Sequence, residues 1–164
     1  MRGLMLFVAG VVVGVLLMHP SHAVEAQAPG GLRLNHVGIA VTDYQESLNF
    51  YTTVMGFKVA YAFPPGPDGK PTTTFLQISR DTFLEMAQAT AARPAGLTHM
   101  GIGAEDINAA IMRIRQAGGK ADDARSGGPS KSILSNVVDP NGIRLELNEQ
   151  PADSFMHKAI ESWK

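Results

Sequence analysis

The chain has 164 residues, enough for one domain with a core of its own. Hydrophobic residues make up 45% and charged residues 18%; a formal net charge of −1 with no basic run gives nucleic acid or an anionic membrane nothing to hold. There is no cysteine, which excludes disulfides and any anchor acylated on cysteine.

The N-terminus differs in material from the rest. Arg2 is followed by an uncharged apolar run of about 15 residues, Leu4 to Met18, and then by small residues at Ser21, Ala23 and Ala26. That is the layout of a cleavable signal peptide over residues 1–23, with the cut after Ala23 fitting best and Ala26 next. The run is short of the ~20 residues that span a bilayer, so the expectation is a periplasmic or secreted protein with no stable membrane insertion. Residues 24–31, ending in Pro29-Gly30-Gly31, read as a flexible lead-in to a domain over 32–149.

Within that domain the chain repeats itself. Leu34-Asn35-His36-Val37-Gly38-Ile39 matches Leu97-Thr98-His99-Met100-Gly101-Ile102 at an offset of 63 residues, and Leu84-Glu85-Met86 matches Leu145-Glu146-Leu147 at 61. Two modules of roughly equal length, about 32–90 and 95–149, indicate a duplication rather than a solenoid.

Each module opens on a strand, Leu34 to Val41 and Leu97 to Ala104. A helix follows. Asp43 with Glu46 is a capping-box pattern, Leu48, Tyr51 and Met55 share one helical face, and Gly56 ends the helix. In the second module Asp106 is the cap, Ile107, Ala110, Ile111 and Ile114 form the apolar stripe, and Gly118-Gly119 is the stop. Three strands are predicted after each helix: about 58–63, 73–78 and 82–87, then 120–124, 131–138 and 144–148. Residues 64–69 form a loop, and Asp139-Pro140-Asn141-Gly142 a turn. Residues 150–164 read as a helical tail, with Pro151 in its first turn and Phe155, Ala159 and Trp163 on one face.

The first strand of each module carries a histidine and the last a glutamate. Each glutamate lies between two apolar neighbours and so faces away from them. Singly, His36, Glu85, His99 and Glu146 are ordinary strand residues. Jointly, at equivalent places of a duplicated module, they form a candidate set of two imidazoles and two carboxylates for a divalent metal with positions open to substrate. Arg125 and Lys131 read first as surface charges, with an anionic substrate as the alternative. Phe75 and Gln77 sit on a strand that can face the site. Phe50 and Tyr51 read as helix-to-sheet packing, and the scattered methionines as core filler.

The segments Leu34 to Val41, Asn49-Phe50-Tyr51 with Met55-Gly56-Phe57, Thr98 to Gly101, and Asp139 to Gly142 with Leu145-Glu146-Leu147 resemble the vicinal oxygen chelate superfamily. Its members include glyoxalase I, methylmalonyl-CoA epimerase, extradiol dioxygenases and the fosfomycin and bleomycin resistance proteins. The resemblance spans about residues 32–149 and implies an α+β fold of two paired βαβββ modules forming a curved mixed sheet around a metal cleft. It implies one divalent ion (Ni, Zn, Co, Mn or Fe) on His36, Glu85, His99 and Glu146, and an isomerase or lyase that moves a proton beside a metal-bound carbonyl. Glu146 is the first candidate for the proton carrier and Glu85 the second. An Fe(II) ring-cleaving dioxygenase using His36, His99 and Glu146 is the runner-up, and a non-catalytic binding module the third reading. Homodimerisation is a further expectation, since modules of this superfamily either close on each other or exchange with a partner. Ala40 and Ala89 stand where glyoxalase I carries an arginine and an asparagine for glutathione, a departure that weighs against a glutathione adduct.

Overall fold

The structure, a computed structural model, describes residues 31–164. The expected signal peptide and most of the lead-in lie outside the described residues.

One eight-stranded sheet carries the fold, in the order β2-β3-β4-β1-β5-β8-β7-β6. The first module supplies β1 (Arg33–Val41), β2 (Lys58–Ala62), β3 (Thr73–Ser79) and β4 (Thr82–Gln88). The second supplies β5 (Gly96–Gly103), β6 (Arg125–Ser126), β7 (Ile133–Val138) and β8 (Arg144–Glu149). β1 pairs parallel with β4, and β5 parallel with β8. The two modules join side by side through an antiparallel β1–β5 pair. The expected α+β pairing of βαβββ modules is thus a single mixed sheet, closed within one chain.

Helix α1 (Tyr44–Asn49) and helix α2 (Ile107–Gln116) follow the first strands. Both begin as the sequence predicts: the Asp43 side chain accepts from the Glu46 amide at 2.8 Å, and Asp106 from the Ala109 amide at 2.9 Å. The α2 stripe is real. Ile107, Ala110 and Ile111 are buried with Ala104 and Leu147, and Ile114 packs against them. They cover the outer face of the sheet, onto which the neighbours of the glutamates also turn.

The first helix departs from expectation. From Phe50 to Val54 the chain loosens into a π-helical turn, with the Met55 amide donating to the Phe50 carbonyl at 3.0 Å. The Thr52 hydroxyl donates to the Leu48 carbonyl at 2.8 Å, a back-bond that weakens a helical ladder. The predicted face is rotated as a result: Tyr44 is the buried residue, Leu48 and Tyr51 are half-buried, and Phe50 and Met55 are exposed. Phe50 packs edge-on against Tyr51 rather than against the sheet.

Two further boundaries move. The predicted 120–124 strand is reduced to one bridge, Ala121 to Val137, and the paired residues are Arg125–Ser126. The strand predicted from Lys131 starts at Ile133, because Gly128–Ser130 form a 3-10 turn and Lys131 sits at φ 60°, outside extended backbone. In the tail, helix α3 (Phe155–Ser162) starts after Ser154, whose hydroxyl accepts from the His157 amide at 3.2 Å. Pro151 lies ahead of the helix, in a turn in which its carbonyl accepts from Ser154. The buried face is Met156 and Ala159, while Phe155 is largely exposed and Trp163 lies past the end under the Lys58 ammonium. Met156 and Ala159 pack with Phe75 and Phe83, so α3 lies on the inner face of the sheet, opposite α2.

Ile107 is fully buried beneath α2. Ile107→Ala should lower unfolding free energy by about 2–5 kcal/mol. Urea denaturation checks this; a loss under about 1 kcal/mol would mean that α2 docks loosely.

Candidate functional site

The β1–β5 register sets the site. His36 lies opposite Gly101, and Gly38 opposite His99. Each imidazole therefore lies over a glycine of the other strand, and a Cβ added at either glycine would fall inside the facing ring. Each glycine continues the row outward: Gly38 pairs with Glu85 on β4, and Gly101 with Glu146 on β8. Two rows related by the duplication bring all four predicted residues to the inner face.

There they meet. The two Nε2 atoms are 2.9 Å apart. Glu85 Oε2 lies 3.4 Å from His36 Nε2 and 3.3 Å from His99 Nε2. Glu146 Oε1 lies 3.8 Å and 3.9 Å from the same two atoms. All four ligand atoms lie within 4.8 Å of one another. Donors sharing one ion at about 2.0–2.2 Å have this kind of mutual spacing.

The surroundings orient these groups. His36 Nδ1 is 2.9 Å from Asn35 Oδ1, and His99 Nδ1 is 2.9 Å from Thr98 Oγ1. With each Nδ1–H donating outward, a neutral ring turns its Nε2 lone pair into the cluster, as a metal-binding histidine requires. Asn35 reaches its neighbour because the β1–β5 register shifts between Leu34 and His36. Glu146 Oε2 is held by Arg144 at 3.1 Å and Arg125 at 3.6 Å, which leaves Oε1 toward the cluster. Burial pushes the Glu85 carboxyl up; when the two rings instead carry protons on Nε2, hydrogen bonds and electrostatic attraction from His36 and His99 outweigh it and bring it down to about 2. Two inward imidazole nitrogens and two carboxylate oxygens, with the other atoms of both rings and of Glu146 tied, suit a borderline divalent cation.

A cavity of about 120 Å³ opens beside the cluster. Its wall is aromatic on one side, with Tyr61, Phe63 and Phe75, and polar on the other, with Arg125, Ser132 and Gln150. Met156 of α3 closes part of it. The tail helix therefore shapes the site. The two β3 residues expected to face the site separate here: Phe75 lines the cavity, whereas Gln77 is buried and donates to the Ala159 carbonyl of α3 at 3.2 Å. Arg125 belongs to the site, and Lys131 pairs with Asp153 on the surface at 3.3 Å.

Sequence reasoning missed several of these residues. Gly38 and Gly101 were visible as the repeated His-x-Gly, but only as part of a repeat. Asn35 and Thr98 were visible as polar residues preceding each histidine. Tyr61 and Phe63 alternate along a strand, a signal that they share a face. Arg144 and Met156 left no distinct signal.

Two βαβββ modules joined through their first strands, with a His/Glu pair from each meeting on one face, define a class of duplicated α+β proteins whose site lies at the seam between the repeats. A family model described as the Glyoxalase/Bleomycin resistance protein/Dioxygenase superfamily matches residues 33–147, and the chain belongs to that superfamily. Lactoylglutathione lyase of Salmonella typhimurium is 30% identical over 128 residues, covering 72% of this chain and 93% of that protein. Human mitochondrial methylmalonyl-CoA epimerase is 27% identical over 135 residues, covering 71% and 73%. Among solved structures, a variant of Streptomyces coelicolor methylmalonyl-CoA epimerase in complex with 2-nitronate-propionyl-CoA superposes with a TM-score of 0.61 at 24% identity, covering 74% of this chain and 96% of that one. This last likeness is one of fold.

Gly38→Ala and Gly101→Ala should each destabilise the protein by about 1–3 kcal/mol through overpacking against a histidine. Gly103→Ala, where an added Cβ meets only ordinary contacts, should cost less. Thermal unfolding of the three variants checks the order.

Proposed function

We propose that the chain is a divalent-metal-dependent isomerase or lyase. It moves a proton at a carbon next to the carbonyl of a small oxygenated substrate, with His36, Glu85, His99 and Glu146 as the metal ligands. The observation that carries this reading is the meeting of four donor atoms within 4.8 Å beside a lined cavity, with the outer atoms of both imidazoles and of Glu146 already engaged. Membership of a superfamily whose matching relatives are lyases and epimerases supports the class of reaction.

A bound divalent cation supplies Lewis acidity, drawing electrons from the substrate carbonyl so that the neighbouring C–H gives up its proton more readily. The chain's own groups do the rest. Glu146 Oε1 takes the proton and returns it, because it is the carboxylate oxygen farther from the histidine pair and so the less closely held. Arg144 and Arg125 fix the other oxygen, so the carboxylate pivots rather than leaves. Glu85, nearer to both histidines, stays as a ligand. In the dioxygenase reading Glu85 is dispensable, so activity that survives Glu85→Ala would favour that alternative. Ala40 is buried and brings no cation to the position where glyoxalase I holds glutathione, which favours a substrate that is not a thiol conjugate.

Elemental analysis of the purified protein should give about one equivalent of divalent metal, with the stoichiometry set by one cluster. The double variant His36→Ala with Glu146→Ala should lose it. In D2O, small hydroxy-carbonyl compounds should exchange their α-proton with the loaded protein and not with Glu146→Gln, read by proton NMR. A wild type that takes up no metal on reconstitution would remove this proposal.

A further inference from the structure

Tyr61 has no role in the fold that accounts for its hydroxyl. The side chain lies on β2 directly across from Phe75, and the two rings stack with centroids 4.6 Å apart and planes 15° from parallel. Phe155 stacks on it as well, at 5.2 Å. The hydroxyl is buried and has no hydrogen-bond partner among the described residues. Tyr61 is one of the residues that line the cavity shared by His36, Glu85 and Glu146. A buried donor without a partner costs stability, and a phenylalanine would fill the same aromatic stack without that cost.

We propose that Tyr61 is a substrate-binding residue, whose hydroxyl donates a hydrogen bond to an oxygen of a small unconjugated oxygenated compound seated beside the four-residue cluster. This rests on the metal-site reading above for the position of the substrate, and on the unpartnered hydroxyl for the contact itself. The size of the cavity limits what is enclosed beside the cluster, and the buried Ala40, which brings no cation, disfavours a thiol conjugate. At about 120 Å³ the cavity lies well below the ~300–1,000 Å³ of sites that enclose drug-sized ligands. A compound of a few carbons fits between the aromatic wall and the polar wall, with one oxygen toward Tyr61 and the others toward the cluster. A nucleotide or tripeptide conjugate leaves most of its bulk outside.

The test compares wild type with Tyr61→Phe, using acetohydroxamate as a probe with two adjacent oxygens. Both proteins are loaded with cobalt, and probe binding is followed by the cobalt absorption spectrum. Tyr61→Phe should hold the same equivalents of cobalt, melt at or above the wild-type temperature in the metal-free form, and bind acetohydroxamate about tenfold more weakly. Equal affinity for the probe would overturn the proposal. So would a metal-free Tm several degrees below wild type, since that would make the hydroxyl structural. If neither protein takes up cobalt, the metal reading has failed separately; probe affinity is then measured on the metal-free proteins by calorimetry, where the same weakening is expected and its absence overturns the role of Tyr61.

Discussion

Where β1 runs antiparallel to β5, each strand offers a glycine at the point where the other offers a histidine. This exchange is a steric constraint before it is anything chemical. Two strands in a sheet are too close for an imidazole to lie flat over a neighbouring side chain, so the ring needs a bare Cα beneath it. Meeting that need twice, in opposite directions, fixes the register between the modules. It also sets both Nε2 atoms 2.9 Å apart. The parallel pairs β1–β4 and β5–β8 then deliver one carboxylate to each side. The seam of the duplication and the centre of the site are the same place.

Symmetry stops one strand further out. The row through Gly38 and Glu85 continues to Phe75 and Tyr61, whereas the row through Gly101 and Glu146 continues to Asn136. One half of the cleft is thereby aromatic, and the other carries arginines that hold a carboxylate. A duplicated scaffold thus gives a nearly symmetric donor set but an asymmetric chamber. A reaction that treats two neighbouring carbons differently needs such a difference between its sides. The tail helix deepens it, because Met156 and Ala159 of α3 pack with Phe75 and Phe83 of the first module.

The repeat was legible because identical local sequences recur at nearly constant spacing, and it led directly to His36, Glu85, His99 and Glu146. The caps at Asp43 and Asp106 and the α2 stripe were legible for the same reason: each depends on residues within one turn of one another. What escaped the sequence depends on distant partners. The π-helical turn after Asn49 follows from Thr52 bonding back to Leu48, which the apolar periodicity conceals. The shortened β6 and the late start of β7 follow from Lys131 at a positive φ, a conformation that lysine does not advertise. Tyr61 and Met156 owe their places to β2 and α3 lying against the same inner face, and no spacing along the chain records that contact.

The position of α3 also separates the cluster from its cover along the chain. All four residues of the cluster lie on β1, β4, β5 and β8, which pair with one another directly. Met156, which closes part of the chamber, comes later and is tied down by contacts to β2 and β3 made much earlier in the chain. A chain clipped after β8 would keep the four residues of the cluster and lose Met156 from the wall of the chamber. The cluster and the wall that covers it thus belong to separate stretches of the chain.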